Sequence, residues 1–198
     1  MSFNKIADAI VCQSLRLNLL TSEFVMNFKN LISSILFLFA SAVYASSADS
    51  VQVYVFFSET CPICQSATLN LKAIYAKFQD RGIRFAVVFP NTNVSDEKSI
   101  EKFSKKYKLP FEHKIDEQQA LTKKFSATIT PEVIVVNSLT DEILYRGKID
   151  NGFESIGKKR TVITEHYLNE ALLSILENKP VNIKETKPVG CFIIKQNQ

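Results

Sequence analysis

The sequence predicts an α/β fold, a central mixed sheet flanked by helices, on three observations. Residues 51–57 (VQVYVFF) and 83–89 (IRFAVVF) are buried-strand runs separated by an amphipathic helical pattern. A second pair of strand runs, 132–137 (EVIVVN) and 142–146 (EILYR), lies across a turn at residues 138–141, as in an antiparallel hairpin. A packed helix over residues 161–178, with Leu168, Ala171, Leu172, Ile175 and Leu176 at helical spacing, closes the domain.

Composition and charge narrow the class. The chain has 198 residues, 46% of them apolar, with only 5 Gly and 6 Pro, which suits one packed domain plus extensions and not a disordered chain. Its 24 basic and 20 acidic residues leave a formal charge of +4 spread along the sequence, so no nucleic-acid partner is expected. The densest basic cluster, Lys158-Lys159-Arg160, reads as a solvated loop. Near the N-terminus, Lys29, an apolar run over residues 31–40 and the small-residue exit Val43-Tyr44-Ala45 follow the layout of a secretory leader, assigned to residues 26–45. Residues 1–25 read as an extended N-terminus or as sequence upstream of a true start at Met26. The apolar run is too short to span a bilayer, so no stable membrane insertion is expected once the leader is cleaved. The domain then comprises residues 46–198 with a tail over 180–198, in a periplasmic or secreted location.

Within that domain, residues 51–57 are β-branched and aromatic throughout, as in a central strand buried on both faces. Ala67, Leu71, Ile74, Tyr75 and Phe78 form the apolar face of a helix beginning near Gln65, and Gly82 suits the left-handed residue that ends it. Strand, helix, strand in this order predicts a right-handed parallel crossover, which puts the end of the first strand and the helix N-terminus at one sheet edge. Ser95-Asp96-Glu97 are helix-start residues for a stripe of Ile100, Phe103 and Tyr107, stopped at Lys108-Leu109-Pro110. Residues 111–115 read as a short edge strand, and Asp116 as the cap of a helix that turns Ala120, Leu121 and Phe125 inward. Thr130-Pro131 stands directly before a core strand, where proline belongs at a strand start or a turn, and is a candidate cis peptide. Residues 147–159 contain three glycines and read as a loop. Beyond Pro180 the polar tail turns apolar at residues 189–194 (VGCFII), which is predicted to dock on the domain or on a partner.

The chemistry gathers at Cys61-Pro62-Ile63-Cys64. A single C-x-x-C suits a redox dithiol, half of a zinc site or a structural disulfide. No second C-x-x-C and no paired His follows at ligand spacing, so no metal is assigned, and the two histidines, His113 and His166, read as ordinary polar residues. Placement at a strand-to-helix junction favours redox chemistry. The orphan N–H groups and positive dipole end of a helix N-terminus stabilise a thiolate, so Cys61 is expected to be the more acidic and more exposed nucleophile. Cys64, one turn in, is then placed to attack a mixed disulfide on Cys61, and no bound cofactor is needed. Glu59 and Glu132 flank the dithiol and the proline and are candidate proton carriers for Cys64, surface carboxylates being the default. Leader cleavage removes Cys12 and leaves Cys61, Cys64 and Cys191. The odd thiol, Cys191, is an inert buried side chain, a resolving thiol or an intermolecular link.

This order of elements, with CPIC heading a helix and Thr-Pro before a hairpin, resembles the thioredoxin fold. The stretches TPEVIVVN, DEILYRGKIDN and KPVNIKETKPVGC resemble secreted redoxins of the AhpC/TSA and thioredoxin-like family, over about residues 51–194. The resemblance implies that Pro131 is a cis-proline facing the dithiol and that the Thr130 backbone pairs with an extended substrate segment. It implies that Cys61 attacks a disulfide and Cys64 resolves it, with Cys191 of the terminal Gly190-Cys191 as a candidate resolving thiol. The expected activity is extracytoplasmic thiol-disulfide exchange with protein thiols or disulfides, recharged by an upstream electron donor. The chain has no Trp and reads Thr-Cys-Pro-Ile-Cys where thioredoxin has Trp-Cys-Gly-Pro-Cys, which leaves the direction of electron flow open. A peroxidase is the first alternative: Ser58 fits the hydroxyl position of the peroxiredoxin motif Pro-x-x-x-Thr/Ser-x-x-Cys, but Tyr54 stands in place of the proline. A copper-binding assembly factor is the second, with Cys61, Cys64 and a distant His as ligands.

Overall fold

The computed structural model describes residues 50–196; residues 1–49 and 197–198, and with them the assignments for 1–25 and 26–45, lie outside the described residues. The chain runs β1 (Val51–Phe56), α1 (Pro62–Phe78), β2 (Arg84–Phe89), α2 (Glu97–Tyr107), β3 (Glu112–Ile115), α3 (Ala120–Phe125), β4 (Ile129–Thr130), β5 (Glu132–Asn137), β6 (Ile143–Gly147), β7 (Phe153–Ser155), β8 (Lys158–Lys159), α4 (Tyr167–Leu176) and β9 (Cys191–Phe192). Five strands form one mixed sheet in the order β3-β2-β1-β5-β6. β1 is central, parallel to β2 and antiparallel to β5, as the uniformly apolar run predicts.

Side-chain alternation divides the core between the two faces of the sheet. Val53 and Val55 pack with Leu71, Ile74 and Phe78 of α1 and with Leu168 and Leu172 of α4. Phe56 instead joins Val88, Ile134, Phe125 and, from the tail, Ile193. Each such side chain, fully buried, contributes roughly 1.5–3 kcal/mol. The tail is therefore part of the fold. It runs along β6, where Arg146 N–H donates to Lys184 O at 2.9 Å and Thr186 N–H to Arg146 O at 3.0 Å. Gly147, at φ +127°, permits this approach, because a Cβ there would stand 2.1 Å from Thr186 O.

Four expectations need correction. α1 begins at Pro62, not near Gln65, because proline suits the first helical position, where no N–H is required. α4 begins only at Tyr167. The β-branched run Thr161-Val162-Ile163-Thr164 disfavours helix, and Asn151 anchors its end outside the helix by donating to Thr164 Oγ1 (2.8 Å) and accepting Thr164 N–H (3.0 Å). The glycine-bearing stretch 147–159 contains the small hairpin β7–β8, turned at Gly157 with φ +79°; its strands are too short and too charged to show an alternating pattern. At α3 the N-cap residue is Gln119, and Ala120 is exposed, so that Thr122 is buried in its place.

Asp116 still performs the capping, from three residues upstream. Its carboxylate accepts the N–H of Leu121 (3.1 Å), the N–H of Thr122 (2.8 Å) and the Thr122 hydroxyl (2.7 Å). Asp116→Ala would leave the two buried Thr122 donors and the half-buried Leu121 N–H without this partner, and the expected destabilisation is about 1–3 kcal/mol. Thermal unfolding should show a midpoint lowered by roughly 3–10 °C; an unchanged midpoint would mean that the three bonds add nothing net.

Candidate thiol site

β1 delivers the chain to a turn in which Cys61 N–H donates to Ser58 O at 3.2 Å, and Cys61 then becomes the N-cap of α1, its carbonyl accepting Gln65 N–H at 3.0 Å. The helix places Cys64 one turn in and beneath Cys61, fully buried, with Ser58 N–H donating to its sulfur at 3.4 Å. From across the sheet end comes the Thr130–Pro131 bond, which is cis. The Cys61 thiol lies 3.4 Å from Thr130 O. The structure thus brings together Cys61, Cys64, Thr130 and Pro131.

It also brings Cys191. β9 pairs antiparallel with β4, with Thr130 opposite Cys191 and Ile129 opposite Phe192, and the two sulfurs of Cys191 and Cys61 stand 2.7 Å apart. Gly190 is what lets the tail come so close: a Cβ on it would lie 2.0 Å from Thr130 O. The expectation of an exposed nucleophile is corrected by the same contact. Cys61 is only 1% exposed, because the tail lies over it.

The electrostatics separate the three thiols. Cys61 is lowered to about 5, chiefly by the Cys64 thiol donating to it, against the cost of burial and with help from the Cys191 thiol and the backbone N–H groups of Cys64 and Cys191. Burial raises Cys64 well above the ordinary thiol range, and the Cys61 charge adds to that. Cys191 is raised to about 11 by burial and by the bond to Cys61. One thiolate is therefore held by two thiols.

The remaining candidates have other work. Glu59 and Glu132 are buried, not surface, carboxylates. Glu59 accepts the hydroxyls of Ser95 (2.7 Å) and Ser99 (3.1 Å) and so ties the active turn to the start of α2. Glu132 accepts Thr128 N–H (3.0 Å) and Ile129 N–H (3.4 Å) with one oxygen and Arg146 (3.2 Å) with the other, which fixes the backbone leading into the cis peptide. Neither carboxylate bonds a thiol. Ser58 Oγ shares a 2.9 Å bond with Thr60 Oγ1, and Tyr54 packs on Phe125 at the other face of the sheet. His113 pairs with Glu97 at 2.8 Å, and His166 is the exposed N-cap of α4. Sequence reasoning missed Asn91 and Gln119, whose side-chain amides clamp the tail; a lone polar residue in a loop gives no signal of a partner 103 or 75 positions on.

One thiolate among three thiols is measurable. Ultraviolet titration of the reduced protein should show a single thiolate forming near pH 5, absent in Cys61→Ser and moved upward in Cys64→Ala, which removes the chief donor. Between about pH 5 and 9 the unfolded chain holds a proton that folded Cys61 has lost, so the reduced protein should gain stability as pH rises through that window and lose it as pH falls. A thiolate that first forms near pH 9 would refute the assignment.

The model of the AhpC/TSA family matches residues 41–146, more than half of the chain. No curated protein matches it. Among solved structures, an uncharacterized conserved protein from Geobacillus kaustophilus is similar at 21% identity over 79% of this chain and 82% of that one, with a TM-score of 0.68. A hypothetical protein from Sinorhizobium meliloti 1021 is similar at 21% identity over 78% and 85%, with a TM-score of 0.66. A candidate thiol:disulfide interchange protein DsbE from Chlorobium tepidum follows at 16% identity over 66% and 82%, with a TM-score of 0.51. At these identities the likeness is one of fold. The family match spans the central strands on which Cys61, Cys64 and the cis-proline are mounted, and on it the chain belongs to the AhpC/TSA family, in a thioredoxin-like fold.

Proposed function

We propose that the protein is an extracytoplasmic thiol-disulfide oxidoreductase that works through Cys61 and Cys64. The observation that carries this reading is the Cys61 sulfur at the N-cap of α1, one helical turn from the buried Cys64 thiol and 3.4 Å from the Thr130 carbonyl that precedes Pro131, a setting that lowers Cys61 to about 5. Cys61 sulfur attacks one sulfur of a partner disulfide, and the partner's other sulfur leaves as a thiolate and takes a proton. Cys64 then gives up its proton and attacks Cys61, which releases the partner's second thiol and leaves a Cys61–Cys64 disulfide. An upstream thiol donor reduces that disulfide; run in reverse, the sequence oxidises a partner dithiol.

The lowering of Cys61 to about 5 favours the reduced protein at pH 7, which supports the reverse direction, in which the protein accepts electrons from a partner dithiol. A mixed groove of about 490 Å³ adjoins the site, with Ile63, Leu69, Pro131 and Val189 among its apolar lining residues and Lys148, Asp150, Lys159 and Arg160 among its charged ones, and offers a partner's side chains a place near the thiols. Among the described residues no helix is long and apolar enough to cross a membrane. The extracytoplasmic location rests on the leader pattern at residues 26–45.

Cys61→Ser should bring disulfide exchange with a model dithiol peptide down to the rate without protein. The double variant Cys64→Ser/Cys191→Ser keeps Cys61 as nucleophile with nothing to release it, and should accumulate a mixed disulfide with that peptide, visible by mass. Exchange that survives in Cys61→Ser would sink this function.

A further inference from the structure

A two-cysteine cycle leaves unexplained why a third thiol is set on the first. Cys191 is not a chance neighbour, since the chain is fixed on both sides of its side chain. Before it, Gly190 lies against Thr130 O in a space no side chain could share. After it, Ile193 is buried in the second core cluster and its N–H donates to Thr128 O at 2.9 Å. Ile194 N–H donates to Asn91 Oδ1 at 2.9 Å, and Gln119 Nε2 donates to Ile194 O at 2.7 Å. Between these anchors the Cys191 and Cys61 sulfurs meet at 2.7 Å, and the Ile129–Thr130 backbone is taken up by the chain's own strand.

We propose that Cys191 is a third redox residue, which exchanges with Cys64 for the bond to Cys61, and that the strand carrying it is an internal occupant of the edge where a partner's chain would pair. The proposal rests on the thiol-exchange reading above. The step is an isomerisation that needs no outside oxidant. Starting from a Cys61–Cys64 disulfide, Cys191 gives up its thiol proton and its sulfur attacks Cys61. The Cys61–Cys64 bond breaks, the Cys61–Cys191 bond forms, and Cys64 leaves as a thiolate and is protonated; the number of disulfides is unchanged. In this state the tail is fastened covalently over the site. When Cys61–Cys191 is reduced the strand is held only by backbone pairs and the anchors, and an outside polypeptide reaches Thr130 and Cys61 when it lifts.

The test uses the full chain, oxidised with limiting oxidised glutathione, alkylated and mapped without reduction, so that Cys12 is followed on its own peptide. Cys64→Ser should yield a Cys61–Cys191 linked peptide, and the wild type should yield both the Cys61–Cys64 and Cys61–Cys191 links. Cys64→Ser protein that carries glutathione on Cys61 while Cys191 stays open to alkylation would overturn the relay. Gly190→Val should drive the strand off Thr130, abolish the Cys61–Cys191 link, keep the Cys61–Cys64 link and raise the alkylation rate of Cys61 roughly tenfold or more, as local opening of a covered thiol does. An unchanged rate in that variant would refute the covering role. If the wild type forms Cys61–Cys64 but never Cys61–Cys191, the relay alone falls; if Cys61 enters no disulfide at all, the exchange function falls with it.

Discussion

In the ladder between β1 and β5, Phe56 stands opposite Glu132, so the residues leaving β1 and those entering β5 meet at one end of the sheet. That register sets the geometry of the site. The turn out of β1 leads to Cys61, and the cis peptide into β5 faces it across the gap. A slip of one residue would invert every side chain of β1, sending Val53 and Val55 to the wrong cluster and Cys61 away from Thr130. The register is held by burial on both faces, with Val53, Val55 and Phe56 on one strand and Val133, Ile134 and Val135 on the other all inaccessible to solvent. The thiol chemistry therefore depends on the most strongly specified part of the fold.

Around that frame, the local electrostatics follow from what each thiol can reach. Cys61 sits where a helix begins and gathers donors; Cys64 and Cys191 sit where burial opposes charge. A thiolate is a good acceptor and a buried thiol has no other use for its proton, so each donor is held by the acceptor it stabilises. The same arrangement suits the proposed division of roles: the sulfur common to both proposed disulfides is the one that ionises first, and Cys64 and Cys191 are the poorer thiolates.

Much of this was legible in the chain. Strand, helix, strand, then Thr-Pro and a hairpin predicted the mixed sheet, the end at which the thiols lie and the cis peptide, because the crossover and the proline each constrain topology through local residues. The apolar turn of the tail at residues 189–194 predicted docking, and β9 docks. What sequence could not give was the destination of each buried polar side chain. Glu59 and Glu132 look alike as acids beside a motif, yet Glu59 fastens α2 through Ser99, 40 positions on, while Glu132 turns back onto the Thr128 and Ile129 N–H groups of its own loop and across to Arg146, and no local pattern distinguishes the two. Gly190 was likewise silent: glycine in an extended tail has no local signature, and its reason is the carbonyl of Thr130.

The two buried carboxylates hold the shape of the site independently of its sulfurs, as the proposed exchange would require. In that proposal a disulfide that moves from Cys64 to Cys191 pulls on Cys61 from opposite sides, from within the helix and from the tail. If the active turn and the cis-proline loop were held only by the thiols, each exchange would shift them. Instead Glu59 ties the turn to two hydroxyls at the start of α2, and Glu132 ties the loop to Arg146, which also donates to Phe125 O at 3.0 Å. Charge-assisted bonds to backbone and side chain are among the stronger local restraints available to a protein, and the turn and the loop are braced by them without using a sulfur. The acids that sequence reading offered only as candidate proton carriers, with surface carboxylates as the default, are instead buried braces of the turn and loop that hold the thiols.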